Sequence, residues 1–311
     1  MTMQPIPHGL VALTHWGLMR ARGADAVKFL QGQLTNDVAT LGADRARLAG
    51  FCSAKGRLQA SFVMWQLAPD DLLMACHASV LPATLKRLSM FVLRAQCKLS
   101  DAGAEWRLLG AVGATATHWV ADLPVWGQRP VVGGRAVRLP DVDGAARALL
   151  AQPLSEPVPA APDLALERWQ LLEVCSGIPT IEAATVDQFV PQMLNYEVVG
   201  GVDFQKGCYP GQEVVARSQY RGTVKRRMFL FAVDEAARAG QELFHSADPA
   251  QPAGMVVNAA PQAGAAGSAL LAEVKLAALD SGGLHLGHAA GPTLRQLELP
   301  YPLPGEAALL A

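Results

Sequence analysis

Residues 203–227 read DFQKGCYPGQEVVARSQYRGTVKRR, the densest run of unusual residues in the chain. Lys206, Gly207 and Cys208 are adjacent, a Tyr-Pro-Gly turn follows, and Gln212 and Glu213 open a short helical pattern. A cysteine set before a helix N-terminus and beside a lysine has its thiolate favoured by the helix dipole and by the ammonium. Such a thiol is a candidate nucleophile or redox group. Gly207 and Gly211 flank it without Cβ atoms, which lets a flat ligand or a second backbone approach closely. The same residues fit a plainer reading, in which Cys208 is a small buried apolar side chain and the glycines only shape a turn.

Just beyond stand Arg217, Arg221, Lys225, Arg226 and Arg227, with Glu213 the single acid between positions 204 and 227. This run suits an anionic ligand tail or a phosphate backbone, and equally a solvated face leading into a β-domain. Tyr209 and Tyr220 can stack on a flat ring or sit in a core. The whole chain is nearly neutral, with 311 residues and a net charge of −1. A nucleic-acid role would therefore rest on this local patch, and direct RNA binding is not the expected activity.

Length predicts two domains and a sizeable core. Five cysteines (Cys52, Cys76, Cys97, Cys175, Cys208) include no C-x-x-C pair, so neither a disulfide framework nor a sequence-local metal or iron–sulfur site is expected. The histidines, His77, His245 and His288 among them, show no ligand spacing. The first residues lack a leader pattern and no apolar run approaches the roughly 20 residues that span a bilayer. A cytoplasmic protein with no membrane partner is expected.

Working outward, GADAVKFLQGQL at 23–34 places its apolar residues on one helical face, with Asp25 near the N-cap. The polar exit holds Asn36 and Asp37, which either face a ligand or cap the helix. Apolar runs at 58–66 and 72–77, split by Ala68-Pro69-Asp70-Asp71, predict a hairpin. Residues 81–94 predict an amphipathic helix with Pro82 in its first turn, and 105–113 a strand. The Pro/Ala-rich 151–163 reads as a linker, and 163–176 as a helix stopped by Gly177 and Pro179. After about residue 225, short apolar runs alternate with Gly/Pro/Ala turns, the pattern of a small β-barrel. The fold class is α+β.

The motif Lys206-Gly207-Cys208-Tyr209-Pro210-Gly211-Gln212-Glu213 resembles the K-G-C-Y-x-G-Q-E signature of the YgfZ family, relatives of the glycine-cleavage T protein. FLQGQLTNDV (29–38), CSAKGR (52–57), RLSMFVLRAQ (87–96), GIPTI (177–181) and FVPQMLNYE (189–197) resemble further family segments in the same order. The resemblance implies a three-lobed T-protein-like arrangement around a central channel. It implies a T-protein-like region of two interleaved lobes over 1–222 and a C-terminal β-barrel domain over 223–311. It further implies tetrahydrofolate or a folate derivative as ligand, no intrinsic metal, and iron–sulfur client enzymes, some of which modify tRNA, as partners.

Carried onto this sequence, the reactive positions are Cys208 and Lys206. The expected ligand contacts are Gly207, Tyr209, Gly211, Gln212, Glu213, Arg217, Asn36 and Asp37. Two departures from the T-protein pattern argue against aminomethyl transfer. Lys55-Gly56-Arg57-Leu58-Gln59-Ala60 carries no acid where the T protein has G-G-x-x-D-D. Cys175 occupies the position of the pteridine-gripping Glu, and Glu173 lies about 200° round the helix.

Overall fold

The computed structural model describes residues 7–220, 224–262, 264 and 266–304. The chain runs β1 (Gly9–Ala12), β2 (Trp16–Arg22), α1 (Ala26–Gln31), β3 (Ala46–Cys52), β4 (Leu58–Ala68), β5 (Asp71–His77) and α2 (Leu81–Val92). It continues through β6 (Lys98–Asp101), β7 (Trp106–Val112), α3 (Ala114–Val120), β8 (Gln128–Val131), β9 (Gly134–Val142), β10 (Ala145–Pro153) and α4 (Leu166–Cys175). The last part holds α5 (Gln212–Tyr220), β11 (Arg226–Val233), β12 (Glu242–His245), β13 (Asp248–Pro261), β14 (Ser268–Lys275), β15 (Leu284–Leu286) and β16 (Arg295–Leu297). The class is mixed helix and sheet, with strands dominating.

Two compact units divide the chain, Met1–Ala49 with Phe62–Trp169, and Gly50–Ser61 with Gln170–Ala311. The boundary expected at 222/223 lies outside the described residues.

In the first unit, one sheet has the order β1-β7-β10-β9-β8 and is covered by α3. Leu10, Leu109, Ala111, Ala116, Val120, Ala136, Ala148 and Leu150 form the core between them. Trp169 lies flat on β7 because Gly110 has no side chain; a Cβ there would stand 2.6 Å from the indole. Arg147 stacks on the same ring at 4.9 Å. A second sheet, β3-β4-β5-β2-β6, contains the expected hairpin as β4 and β5. Leu72 to Cys76 are all inaccessible, so β5 is covered on both faces and reads as a continuous apolar run. The helix expected at 81–94 is α2, docked through Leu81, Thr84 and Leu88 with Pro82 in its first turn.

Three expectations shift. The linker expected at 151–163 starts later, because Ala151, Gln152 and Pro153 pair with Leu108, Arg107 and Trp106 as the end of β10. The helix expected from 163 begins at Leu166, since Asp163 bridges to Leu10. Asp25 does not cap α1 with its side chain; its carboxylate accepts the Gln96 N–H instead.

In the second unit, Gly177 takes φ +67° after α4, the left-handed stop expected of it. The strands after residue 225 form one antiparallel sheet, β15-β12-β13-β14-β11-β16. This is a half-barrel with β15 and β16 as edges. Its core includes Phe229, Phe231, Leu243, Val256, Leu270 and Val274. Asn258 on β13 donates to Thr180 O (2.8 Å) and accepts from Thr180 N–H (2.9 Å), pinning the segment after α4 to the sheet.

Candidate functional site

Within the second unit, residues 53–57 make a tight turn. Ser53 N–H donates to Arg57 O at 2.8 Å and Gly56 N–H to Ser53 O at 2.9 Å, with Gly56 at φ +70°. The neighbouring 187–189 segment is zipped to the following strand by Leu58 N–H to Phe189 O and Asp187 N–H to Leu58 O, both 2.8 Å. The Arg57 guanidinium donates to Gln188 O.

The 203–211 loop lies against this turn. Asp203 opens it with an Asx turn, its Oδ1 accepting from Gln205 N–H (2.7 Å) and Lys206 N–H (3.1 Å). Tyr209 is buried, and Lys206 Nζ stands 5.2 Å above its ring centroid. Burial, and then the adjacent Cys52, push the Tyr209 phenol up. Burial, and then the Asp187 carboxylate, push the Cys52 thiol up to about 12. The loop ends at Gly211, φ +81°, where a Cβ would stand 2.3 Å from Ser53 O and 2.7 Å from Gly56 Cα. Two glycine backbones thus touch where no larger residue fits.

From that contact α5 rises, with Gln212 N–H donating to Tyr209 O at 3.2 Å. Gln192 donates to Val215 O at 2.9 Å and holds the helix from the side. Cys208 is exposed just before the helix, so the buried-thiol reading made from sequence does not describe it. Gly207 is exposed too, and no atom beyond its two chain neighbours lies within 4 Å of where its Cβ would be. Gln212 is half-buried; Glu213 and Arg217 are exposed. The site therefore gathers Lys206, Gly207, Cys208, Tyr209, Gly211 and Gln212 on one braced loop.

The basic run splits. Arg226 pairs with Glu273, one N···O at 2.9 Å, and Arg227 is buried against Glu197 at 2.5 Å and Gln192 O at 3.1 Å. Arg221 lies outside the described residues. Tyr220 is 70% exposed and meets Phe204 edge-on at 5.9 Å.

Asn36 and Asp37 belong to the first unit. Asn36 is buried, donating to Leu48 O at 2.6 Å while its Oδ1 accepts the Asp37 N–H at 2.8 Å. Asp37 accepts from Thr40 Oγ1 and from Ala39 N–H (3.1 Å) and faces Arg47 at 3.6 Å. Burial alone would raise its carboxyl, but hydrogen bonds from Thr40, Gln31 and Ala39, with the Arg47 charge, hold it below the usual range.

Sequence reasoning missed Ser53 and Gln59. Ser53 Oγ and Gln59 Oε1 are buried and have no hydrogen-bond partner among the described residues. Both sit in the stretch 52–60 already singled out for its turn. Asp203 was also missed, although an Asp three residues before a Lys-Gly pair is an Asx-turn signal. Among the described residues no three His, Cys, Asp or Glu side chains are placed to hold a metal, and no helix is long and apolar enough to cross a membrane.

Residues 7–125 match the family model of the GCVT N-terminal domain. The fold is GcvT-like. It aligns with glycine cleavage system aminomethyltransferase T from Bartonella henselae at a TM-score of 0.72 and 17% identity, over 95% of this chain and 86% of that one. In sequence, the chain is 29% identical over 236 residues to an uncharacterized protein of Haemophilus influenzae, covering 75% of this chain and 77% of that protein. The Cys208 loop lies beyond the part matched by the GCVT model.

Proposed function

We propose that this GcvT-like protein binds tetrahydrofolate and acts as an accessory factor for assembly or repair of iron–sulfur clusters in client enzymes, including tRNA-modifying ones. The reading rests on the family resemblance of the 206–213 motif, and the observation that carries it is Cys208, exposed beside Lys206 on a loop braced at both ends. The three-lobed channel and a cytoplasmic location belong to the same proposal.

The residues present suit a folate in part. Ser53 Oγ and Gln59 Oε1 are buried acceptors free to receive donors from a polar heterocycle, and Gly207 leaves room for a flat group to approach. Lys206 and Arg217 suit the glutamate carboxylates, while Tyr209, Gln212 and Glu213 supply polar edges to orient the ligand; Asn36, buried against Leu48 O, is not used in this reading. The carboxylate that would grip the pteridine in the T-protein pattern is replaced by the half-buried Cys175. A thiol cannot offer the two strong acceptor sites of a carboxylate. A bound tetrahydrofolate would supply a one-carbon carrier; the chain itself binds, orients and presents a thiol.

Calorimetric titration with tetrahydrofolate, together with activity of a cluster-containing client with and without the protein, tests the proposal. Folate binding and a client effect lost in Cys208→Ala are expected. Undetectable binding together with unchanged client activity overturns it. The second reading, a one-carbon transfer enzyme, draws on the same exposed thiol; turnover of a folate adduct lost in Cys208→Ser would favour it.

A further inference from the structure

Helix α2 carries an apolar surface that the fold leaves uncovered. Leu81, Thr84 and Leu88 anchor one face, while Met90 is 57% exposed, Phe91 43% and Leu93 87%. Scattered exposed apolar residues are ordinary, but here three fall within the last four positions of one helix end. Leu93 ends the helix at φ 44° and ψ −105°, a conformation that strains a residue with a Cβ, and it holds its side chain in solvent.

Along the chain on either side of these residues the charge has one sign. Between Asp71 and Asp101 the chain contains Lys86, Arg87, Arg94 and Lys98 and no acid, within a protein of net charge −1. All four cations are exposed, and none makes an ion pair among the described residues. Lys86 and Arg87 sit one helical turn before Met90 and Phe91, and Arg94 follows Leu93, so cations border the patch at both ends. Among the described residues, the one acid tied to the end of this segment is Asp25, whose carboxylate accepts the Gln96 N–H and keeps its charge.

We propose that the exposed end of α2 is a docking site for an acidic polypeptide segment. The segment would set an apolar side chain among Met90, Phe91 and Leu93 and its carboxylates against Lys86, Arg87 and Arg94. Met, Phe and Arg are residues enriched at protein interfaces, and a cationic rim selects an anionic partner and speeds its approach. A lipid surface is a poorer match, because the helix is already docked by its other face and offers only three apolar side chains for insertion. The inference does not depend on the folate reading.

The test uses the full chain and a labelled synthetic peptide with Leu and Phe flanked by glutamates. The comparison probes are the same peptide with Ser at both apolar positions, phosphatidylcholine vesicles containing phosphatidylserine, and polyuridylate. Saturable, salt-sensitive binding of the acidic apolar peptide is expected. The paired substitutions Met90→Ser/Phe91→Ser and Lys86→Glu/Arg87→Glu should each weaken it at least tenfold, with melting temperature retained because these side chains are exposed. A lysine-flanked peptide should bind the Glu variant better than the parent. No saturable binding, equal affinity in the variants, or tighter binding to vesicles or polyuridylate overturns the proposal.

Discussion

Gly56 and Gly211 meet backbone to backbone, and each leaves the space that the other occupies. A Cβ on Gly211 would come within 2.7 Å of Gly56 N, and one on Gly56 within 3.1 Å of Gly211 O. Both residues also hold positive φ, +70° and +81°. The contact sets where the Cys208 loop ends and where α5 begins.

Alanine at these positions should act unequally. At Gly211 the new methyl strikes three backbone atoms, Ser53 O at 2.3 Å and Gly56 Cα and N at 2.7 Å, whereas at Gly56 the tightest contact is the single Val214 Cβ at 2.8 Å. Gly211→Ala is expected to lose about 3 kcal/mol and Gly56→Ala about 1–2 kcal/mol, part of each from the left-handed conformation. The double variant should lose less than the sum, since one broken contact cannot be broken twice. Urea unfolding of the three variants measures this, and equal single losses would contradict the argument.

The thiols should separate by reactivity. Cys208 is exposed, while Cys52 and Cys76 are buried with their thiols pushed up to about 12. Burial is the main cause at both, followed by Asp187 at Cys52 and Asp101 at Cys76. Burial therefore keeps both thiols protonated at pH 8, and the thiolate is the reactive form. Iodoacetamide followed by peptide mass mapping is expected to label Cys208 in the native protein and to reach Cys52 and Cys76 only after unfolding.

Arg227 and Glu197 form a buried pair whose loss should be costly. Arg227→Met strands the Glu197 carboxylate, whose Oε2 already lacks a partner, and is expected to lose about 3–5 kcal/mol. The pair also predicts a pH dependence. Burial raises the Glu197 carboxyl above its ordinary 4.5, outweighing the pull of Arg227 in the other direction. A raised carboxyl means the folded state holds its proton to higher pH than the unfolded state. Stability from this group is therefore present below 4.5 and is lost as pH rises through the raised folded value. Glu197→Gln should remove that slope, read from unfolding free energies measured across the acidic range.

The proposed function sets Lys206 and Arg217 at the acidic end of the ligand. Lys206→Gln and Arg217→Gln should each weaken binding of a polyglutamated tetrahydrofolate about five-fold, and binding of the parent pteridine without a glutamate tail hardly at all. Titration of both ligands against each variant checks this. Equal effects on both would move these side chains away from the tail.

Local physics was legible in the sequence. Ala68-Pro69-Asp70-Asp71 broke the apolar run into β4 and β5, Pro82 marked the first turn of α2, and Gly177 stopped α4. Residues 114–150 carry no sequence expectation, because α3 and β8 are short and the stretch is rich in Ala, Gly and Arg, with weak periodicity. The basic run after Arg217 looked uniform in sequence, yet Arg226 and Arg227 are taken up by Glu273 and Glu197, partners supplied from other segments.

By itself the sequence determined local order: hairpin and helix boundaries, and a cysteine two residues after a lysine followed by a turn and a helix, because hydrophobic period and turn residues act over a few positions. Only the tertiary structure decided that Cys208 faces solvent, that Asn36 is turned inward to Leu48, and that Gly56 and Gly211 touch. Those outcomes depend on which distant segments pack together, and close packing between segments leaves no local signature in a single chain.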